Sequence, residues 1–300
     1  MEVTQVWAVL PAIGAAASFG AAGLLQHRAS RQAPPSGPLR PQLLFDLIRI
    51  PAFRWGVVLG ALGFALQVTA LSFGPLGLVQ PILAMGVLFY LGIAAAMMRQ
   101  APDWRLVGAA LLTTLGISGF LVAARPADGT GHITGTVWPL AVAFAAVVVL
   151  CLILSTRVAS RFRALPLSIA AAVCYGVTAS LVRSLVSAVD LATLLGQWQL
   201  YAVIVLGPAG FLLNQNAFQE GRVGSVAVAI ITVGDPVVSI IAGAIWLGES
   251  LTAGPGAVAA QVISLVVMTG GITLLAHRAQ AVGERIRGGQ GEQSDTPEVQ

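Results

Sequence analysis

Lysine is absent from the 300-residue chain, and charge of either sign is scarce. Asp, Glu, Lys and Arg together make up 9% of the residues, and all 16 basic residues are arginine. A water-soluble domain carries about 25% charged residues, so this chain has too few to cover a solvated surface. The missing lysine removes the residue with which a P-loop reaches nucleotide phosphates, which excludes energy coupling by that route. The only cysteines, Cys151 and Cys174, stand in apolar stretches and are expected to be buried free thiols, neither a disulfide nor a metal pair. No HExxH, no G-x-S-x-G and no Cys/His pair is present, so no enzyme class is favoured and no cofactor is implied. The chain opens Met1-Glu2 with no basic stretch, so a cleaved signal peptide is not expected.

What is abundant is apolar. Hydrophobic residues reach 57% and the mean hydropathy is +0.86. The 34 glycines and 16 prolines sit inside apolar runs, where membrane helices tolerate them. A helix needs about 20 apolar residues to cross the hydrocarbon core, and nine segments qualify, near 7–27, 54–73, 77–98, 104–124, 134–156, 164–187, 198–218, 223–247 and 254–276. Residues 29–52 read as a Pro/Arg-rich loop with a short interfacial helix around Leu43, Leu44, Leu47 and Ile48. Residues 278–300 are polar and expected to be a disordered tail.

All six tryptophans (Trp7, Trp55, Trp104, Trp138, Trp198 and Trp246) fall at span ends, the headgroup level that an indole prefers. Every arginine except Arg125 and Arg183 falls on the side that receives the loops after spans 1, 3, 5 and 7 and the C-terminal tail. The positive-inside rule then puts the N-terminus outside and the C-terminus in the cytoplasm. The same distribution accounts for the pI near 9.8 without nucleic acid, and leaves the lipid bilayer as the partner. An all-Arg, Ala-rich composition fits a GC-rich bacterial genome, hence a bacterial plasma membrane.

The two halves are related. Shifted by 147 residues, Gly60, Gly63, Phe64, Gln67 and Ala70 land on Gly207, Gly210, Phe211, Asn214 and Ala217, and Gly74, Gly77 and Val79 on Gly221, Gly224 and Val226. Span 1 resembles span 6 through Leu10-Pro11 with Leu165-Pro166 and Phe19-Gly20 with Tyr175-Gly176. Counterparts lie five spans apart, an odd number, so the copies are inverted. The fold class is all-α: a polytopic membrane protein of about nine transmembrane helices, with a first four-helix repeat (1–128), a connector span (129–158) and a second repeat (159–277). Many secondary transporters share this plan, with a binding site near the midplane.

Asp235 is the sharpest candidate, because a carboxylate at bilayer depth is costly unless it meets a polar cavity or a partner. Thr232 and Ser239 share its helical face at i−3 and i+4, and Pro236 frees a nearby carbonyl by removing a backbone donor. These residues form an oxygen-rich patch suited to a cation, proton or amine; the alternative is a structural Asp bonded to a neighbouring helix. Gln67 and Asn214 sit on glycine ridges, either as interhelical hydrogen-bonding groups or as symmetry-related parts of opposite gates. Gln80 and Pro81 open span 3 as a cavity feature. The group Asn214-Gln215-Asn216 with Gln219-Glu220 reads as a solvated end of span 7, Glu249 as an end-cap or loop anchor, and Arg28 and Arg183 as snorkelling cations. His27, His132 and His277 lie at span ends without a metal-ligand companion.

These residues resemble the drug/metabolite transporter superfamily over roughly residues 7–276. Pro236-Val237-Val238 followed by Leu247-Gly248-Glu249 looks like the EamA-type repeat. Gly63, Gln67, Ala70, Pro75 and Leu78-Val79-Gln80-Pro81 are similar in order to the NIPA-like magnesium transporters, whose nine-span plan also matches. Two positions depart from that branch: Gln100 stands where an acidic residue often ends span 3, and Ala227-Val228 replaces a Thr-Pro pair. The resemblance implies a transporter working by alternating access, with a small solute or a cation such as Mg²⁺ as cargo, Asp235 as the candidate metal ligand, and room for a homodimer. A non-transporting scaffold is the rival of a different class. In cells, topology reporters fused to the two ends are expected to report the N-terminus outside and the C-terminus in the cytoplasm; both ends on one face would break the nine-span reading.

Overall fold

A computed structural model describes residues 3–30, 32, 42–97, 104–133, 136–159, 162–186, 191–219 and 224–294. Gln100, Glu220, most of the loop between 31 and 41 and the last six residues lie outside them, as do the side chains of Ala227, Val228 and His277. The described chain is helical throughout: α1 (Val3–Ser30), α2 (Gln42–Ile48), α3 (Pro51–Phe73), α4 (Leu76–Leu83), α5 (Gly86–Met97), α6 (Trp104–Ala124), α7 (Trp138–Arg157), α8 (Ala164–Leu185), α9 (Leu191–Gly196), α10 (Trp198–Gln219), α11 (Gly224–Trp246) and α12 (Pro255–Ser294). Among the described residues eight spans are long and apolar enough to cross a membrane, α4 and α5 counting as one, and the described side chains of α11 add the shorter apolar run Ile230–Trp246. The protein is thus an all-α polytopic membrane protein.

Span 3, expected near 77–98, covers Leu76–Met97 in two helical pieces, α4 and α5. Pro81 has no N–H to give the backbone, and two residues later the chain tightens: Met85 N–H bonds the Ile82 carbonyl and Leu88 N–H the Met85 carbonyl. The span therefore breaks between α4 and α5. Beyond Arg278, α12 continues as far as Ser294; Pro297 is the first proline after Pro255, so nothing of that kind interrupts the helix. The short amphipathic α2 forms as the leucine spacing requires, with Leu43 and Leu47 buried against Ala29 and Phe53.

The helices pair in the same way in both halves. In the first, α1 packs along α3 and α5; in the second, α8 packs along α10 and α11. The fourth helices, α6 and α12, pack on each other, and the connector α7 lies against α8. Burial follows from this arrangement: 83% of the α8 span is buried and 11% of the α7 span. α8 can be so enclosed because its interior is rich in Ala, Ser and Gly, whereas the Val and Leu side chains of α7 face outward. Five tryptophans are more than half exposed at span ends. Trp246 is not: it is buried, with the Phe144 ring edge-on at 6.0 Å.

Repeat-related contacts carry the close approaches. Gly63 of α3 lies under the Phe19 ring of α1, and its counterpart Gly210 of α10 under the Tyr175 ring of α8. A Cβ at either would fall 2.8 and 3.2 Å from the respective ring carbons, with Cys174 Cβ at 3.0 Å from the second. Gly20 likewise meets the Gly86 carbonyl, and Gly176 meets Val238 and the Asp235 carbonyl. Gly20→Ala would drive a methyl into backbone that cannot swing aside, and is expected to lower stability by about 1–3 kcal/mol. Gly92→Ala, with nothing within 4 Å, should be neutral or slightly stabilising. Thermal unfolding of the two variants in one detergent checks the contrast.

Candidate functional site

Asp235 is half-buried on α11, and its environment is built by α8 and by its own helix. The absence of a side chain at Gly176 brings α8 close enough for Ser239 Oγ to lie 3.3 Å from the Gly176 carbonyl oxygen. The same hydroxyl lies 2.7 Å from the Asp235 carbonyl oxygen and 3.1 Å from Asp235 Oδ1. Its one hydrogen serves these acceptors in turn. Ser180 Oγ donates to the Gly176 carbonyl at 2.9 Å and lies 3.4 Å from the Ser239 carbonyl. Thr232 is half-buried one turn before Asp235, and Pro236 is buried without breaking α11. The seam is therefore dense in oxygen acceptors, and Asp235 adds a carboxylate to them.

Asn214 joins this region through α8. Its Nδ2 lies 3.5 Å from the Tyr175 hydroxyl, and Asn214 Oδ1 is buried without a partner among the described residues. Gln67 is buried on α3, one turn beyond the Gly63–Phe19 contact, as Asn214 is one turn beyond Gly210 and Tyr175. Gln80 is fully buried on α4 beside buried Pro81. The structure thus sets Asp235 and Ser239 against Gly176 and Asn214 beside Tyr175, while Gln67 lies on α3 and Gln80 on α4. Among the described residues no group of three or more His, Cys, Asp and Glu could hold a metal ion; the metal reading rests on Asp235 with hydroxyl and carbonyl oxygens. Cys151 and Cys174 are free and buried, as expected.

Two polar clusters that sequence reasoning missed tie the halves together at opposite ends. At one, Arg183 does not snorkel. It is buried, donates to the Leu71 carbonyl, pairs with Asp128 Oδ1 at 2.7 Å and lies 3.7 Å from Glu249 Oε1. Glu249 accepts the Leu76 N–H at 2.9 Å and the Gly77 N–H at 3.4 Å, so it caps α4 across the interface, where a carboxylate also meets the helix dipole. Gly248, at φ +67, ends α11 in the left-handed conformation that glycine accepts at no steric cost and turns Glu249 back. The Asp128 loop is stitched to the same end by the Ala127–Ser250 bridge and the Thr130 N–H to the Leu247 carbonyl.

Burial pushes the Glu249 carboxyl above the usual carboxylate range. The Leu76 N–H, the Arg183 guanidinium and the Gly77 N–H pull the other way, and Asp128 adds to the rise.

At the other end the cluster is neutral. Gln215 Nε2 donates to Gln26 Oε1 at 2.9 Å, Ser30 Oγ donates to Gln215 Oε1 at 3.1 Å, and Gln26 Nε2 donates to the Gly56 carbonyl at 3.1 Å. Gln215 and Asn216 are buried, which corrects the expected solvated end of span 7: Gln215 is covered by α1, and Asn216 Nδ2 bonds the Leu212 carbonyl of its own helix. The His27 ring lies between Tyr90, whose hydroxyl is 2.7 Å from Nδ1, and Phe218. Opposite charges on one side of the topology map, Asp128 and Glu249 with Arg183, were the available signal for the ionic cluster; nothing comparable marks Gln26 with Gln215.

No protein-family model matches the chain, and no solved structure does. The chain is similar to the uncharacterized protein Cgl0250/cg0304 of Corynebacterium glutamicum, 27% identical over 277 residues that cover 88% of this chain and 93% of that one. The similarity therefore runs through both halves.

Removing one member of a buried ion pair leaves the other uncompensated and costs about 3–5 kcal/mol, so Glu249→Ala is expected to be strongly destabilised. Glu249→Gln keeps an acceptor for the Leu76 N–H and should lose less. A carboxyl whose folded-state pKa is raised binds its proton more tightly folded than unfolded. Stability of the wild type should accordingly fall as pH rises from the ordinary carboxylate range through the raised value. Thermal melts across pH should show that slope in the wild type and a shallower one in Glu249→Gln.

Proposed function

We propose that the protein is a membrane transporter of the drug/metabolite transporter superfamily, moving a small solute or ion by alternating access without nucleotide hydrolysis. The observation that carries the reading is the repeated packing. Each half sets its first helix against its second and third through the same glycine contacts, and a half-buried acid lies on the third helix of the second half. A scaffold has no need of two matched four-helix units, whereas matched halves that rock against each other expose a central site to one side and then the other. The broken span 3 supports the same reading, because interrupted helices in membranes are tolerated where they line protein or a cavity.

Asp235 is the coupling or cation-binding residue in this proposal, with Thr232, Ser239 and the carbonyl freed by Pro236 as oxygen donors. Gln67 and Asn214 are the paired amides of the two halves, and Gln80-Pro81 opens the interrupted span. The cargo is an organic solute, as the EamA-like features imply, or a hydrated divalent cation such as Mg²⁺, as the NIPA-like ones do. Mg²⁺ keeps most of its waters and is commonly held through one or two carboxylates, which Asp235 would supply. The N-terminus faces outward and the C-terminus the cytoplasm of a bacterial plasma membrane. One charge crossing 100 mV gains about 2.3 kcal/mol, enough to drive a cation inward.

In liposomes holding a membrane potential, Asp235→Asn is expected to lose at least about tenfold in flux, the loss that removing one charge-assisted contact produces. It should still purify folded and melt within a few degrees of the wild type. Undiminished flux from Asp235→Asn would remove the residue from the mechanism.

A further inference from the structure

Gln80 is wholly buried, and among the described residues neither its Nε2 nor its Oε1 has a hydrogen-bond partner. An unpaired buried amide is costly, and such a group in a native protein calls for a bound species or a function. Its level in the membrane follows from the packing of α4 and α5 on α11. Leu76, the first residue of α4, lies against Gly243 near the end of α11, and the N–H groups of Leu76 and Gly77 bond Glu249 just beyond it. Both α4 and α5 stay in contact with α11, so the chain runs back along it, antiparallel. Val233 accordingly packs into the cluster that holds Ala84 and Val87. Gln80, one turn beyond Leu76 on the same helical face, falls at the level of Ser239, one turn from Asp235.

The geometry points to Gln80 as a specificity-determining ligand contact contributed by the first half one helical turn from Asp235, and to a cargo that carries both a cationic N–H group and an acceptor oxygen. This rests on the transporter reading and names its solute class: a small amine bearing a hydroxyl or carbonyl, in preference to a metal cation. The acceptors here are Gln80 Oε1 and the Asp235 carboxylate. Both are served by an ammonium, and equally by a hydrated divalent cation, whose inner-shell waters turn their hydrogens outward. Gln80 Nε2 is different because it is a donor. A bare cation repels it, and a water whose lone pairs are engaged by the ion offers it nothing. Only a ligand with an oxygen acceptor of its own satisfies both ends of the amide.

Ligands that bind the folded form raise its thermal midpoint by mass action. The full-length protein in detergent is titrated with ethanolamine and glycinamide, which carry an ammonium and an oxygen, with n-propylamine, which lacks the oxygen, and with MgCl₂. The oxygenated amines are expected to bind about tenfold or more tightly than n-propylamine and Mg²⁺, the value of one satisfied buried hydrogen bond. Gln80→Met, close in shape and without polar atoms, should be at least as stable without ligand and should abolish that preference. Gln80→Glu keeps the acceptors and loses the donor, so it should bind all the amines without favouring the oxygenated ones.

Equal binding of n-propylamine, Mg²⁺ binding as tight as the amines, preference surviving in Gln80→Met, or no stabilisation by either oxygenated amine would each overturn the assignment. The liposome flux of Asp235→Asn judges the transporter reading separately. Loss of flux there together with indifferent amine binding sinks the cargo class alone, whereas normal flux there sinks the mechanism beneath it.

Discussion

Close contact through small side chains is the constraint on which this fold depends. In lipid, burying a leucine between helices gives little net drive, because the hydrocarbon outside is as apolar as the interior. Association has to come from van der Waals contact and from hydrogen bonds between helices. α8 meets both needs. Gly176 lets α11 approach until a serine hydroxyl spans the seam, and Gly210 of α10 lies under the Tyr175 ring. Its alanine- and serine-rich interior leaves it enclosed on nearly every side, while α7 keeps its valines and leucines for lipid.

Upon that seam the polar groups fall into three levels. The middle level holds Asp235, Ser239 and Gln80. One end is closed by charges, with Arg183 bonded to backbone and carboxylates from three separate segments and Glu249 seated on the first turn of α4. The other is closed by neutral amides, with Gln215 and Gln26 exchanging hydrogen bonds between α10 and α1. Both end clusters join residues of the first half to residues of the second. They differ in their response to the medium: a buried ion pair is exposed to pH through its carboxylates, whereas an amide pair is not.

Much of this was legible from residues alone. The spans, the free thiols, the interfacial helix around Leu43 and Leu47, and Glu249 as an end-cap all follow from local composition and periodicity. The glycine register predicted that Gly63 and Gly210 occupy equivalent places, and each packs on the aromatic that the same comparison had aligned, Phe19 or Tyr175. Failures occurred where the decisive partner was remote. Arg183 was read as snorkelling because its own helix end offers no acid; its partners lie 55 residues away at Asp128 and 112 away at the Leu71 carbonyl. Gln215 was read as solvated because it ends a span, but Gln26, 189 residues earlier, covers it. The turn that divides span 3 lies within an apolar run, and only the backbone geometry reveals it.

The sequence by itself determined the solvent of this protein, the rough limits of its spans and the presence of one acid in an apolar span. Each of these is a property of composition or of short-range periodicity, and a chain with so little charge has no alternative solvent to choose. Only the tertiary structure decided which polar groups meet. The direction in which a helix presents its buried face depends on its neighbours, so the pairing of Arg183 with Asp128 and the covering of Gln215 by α1 came into being when the helices packed.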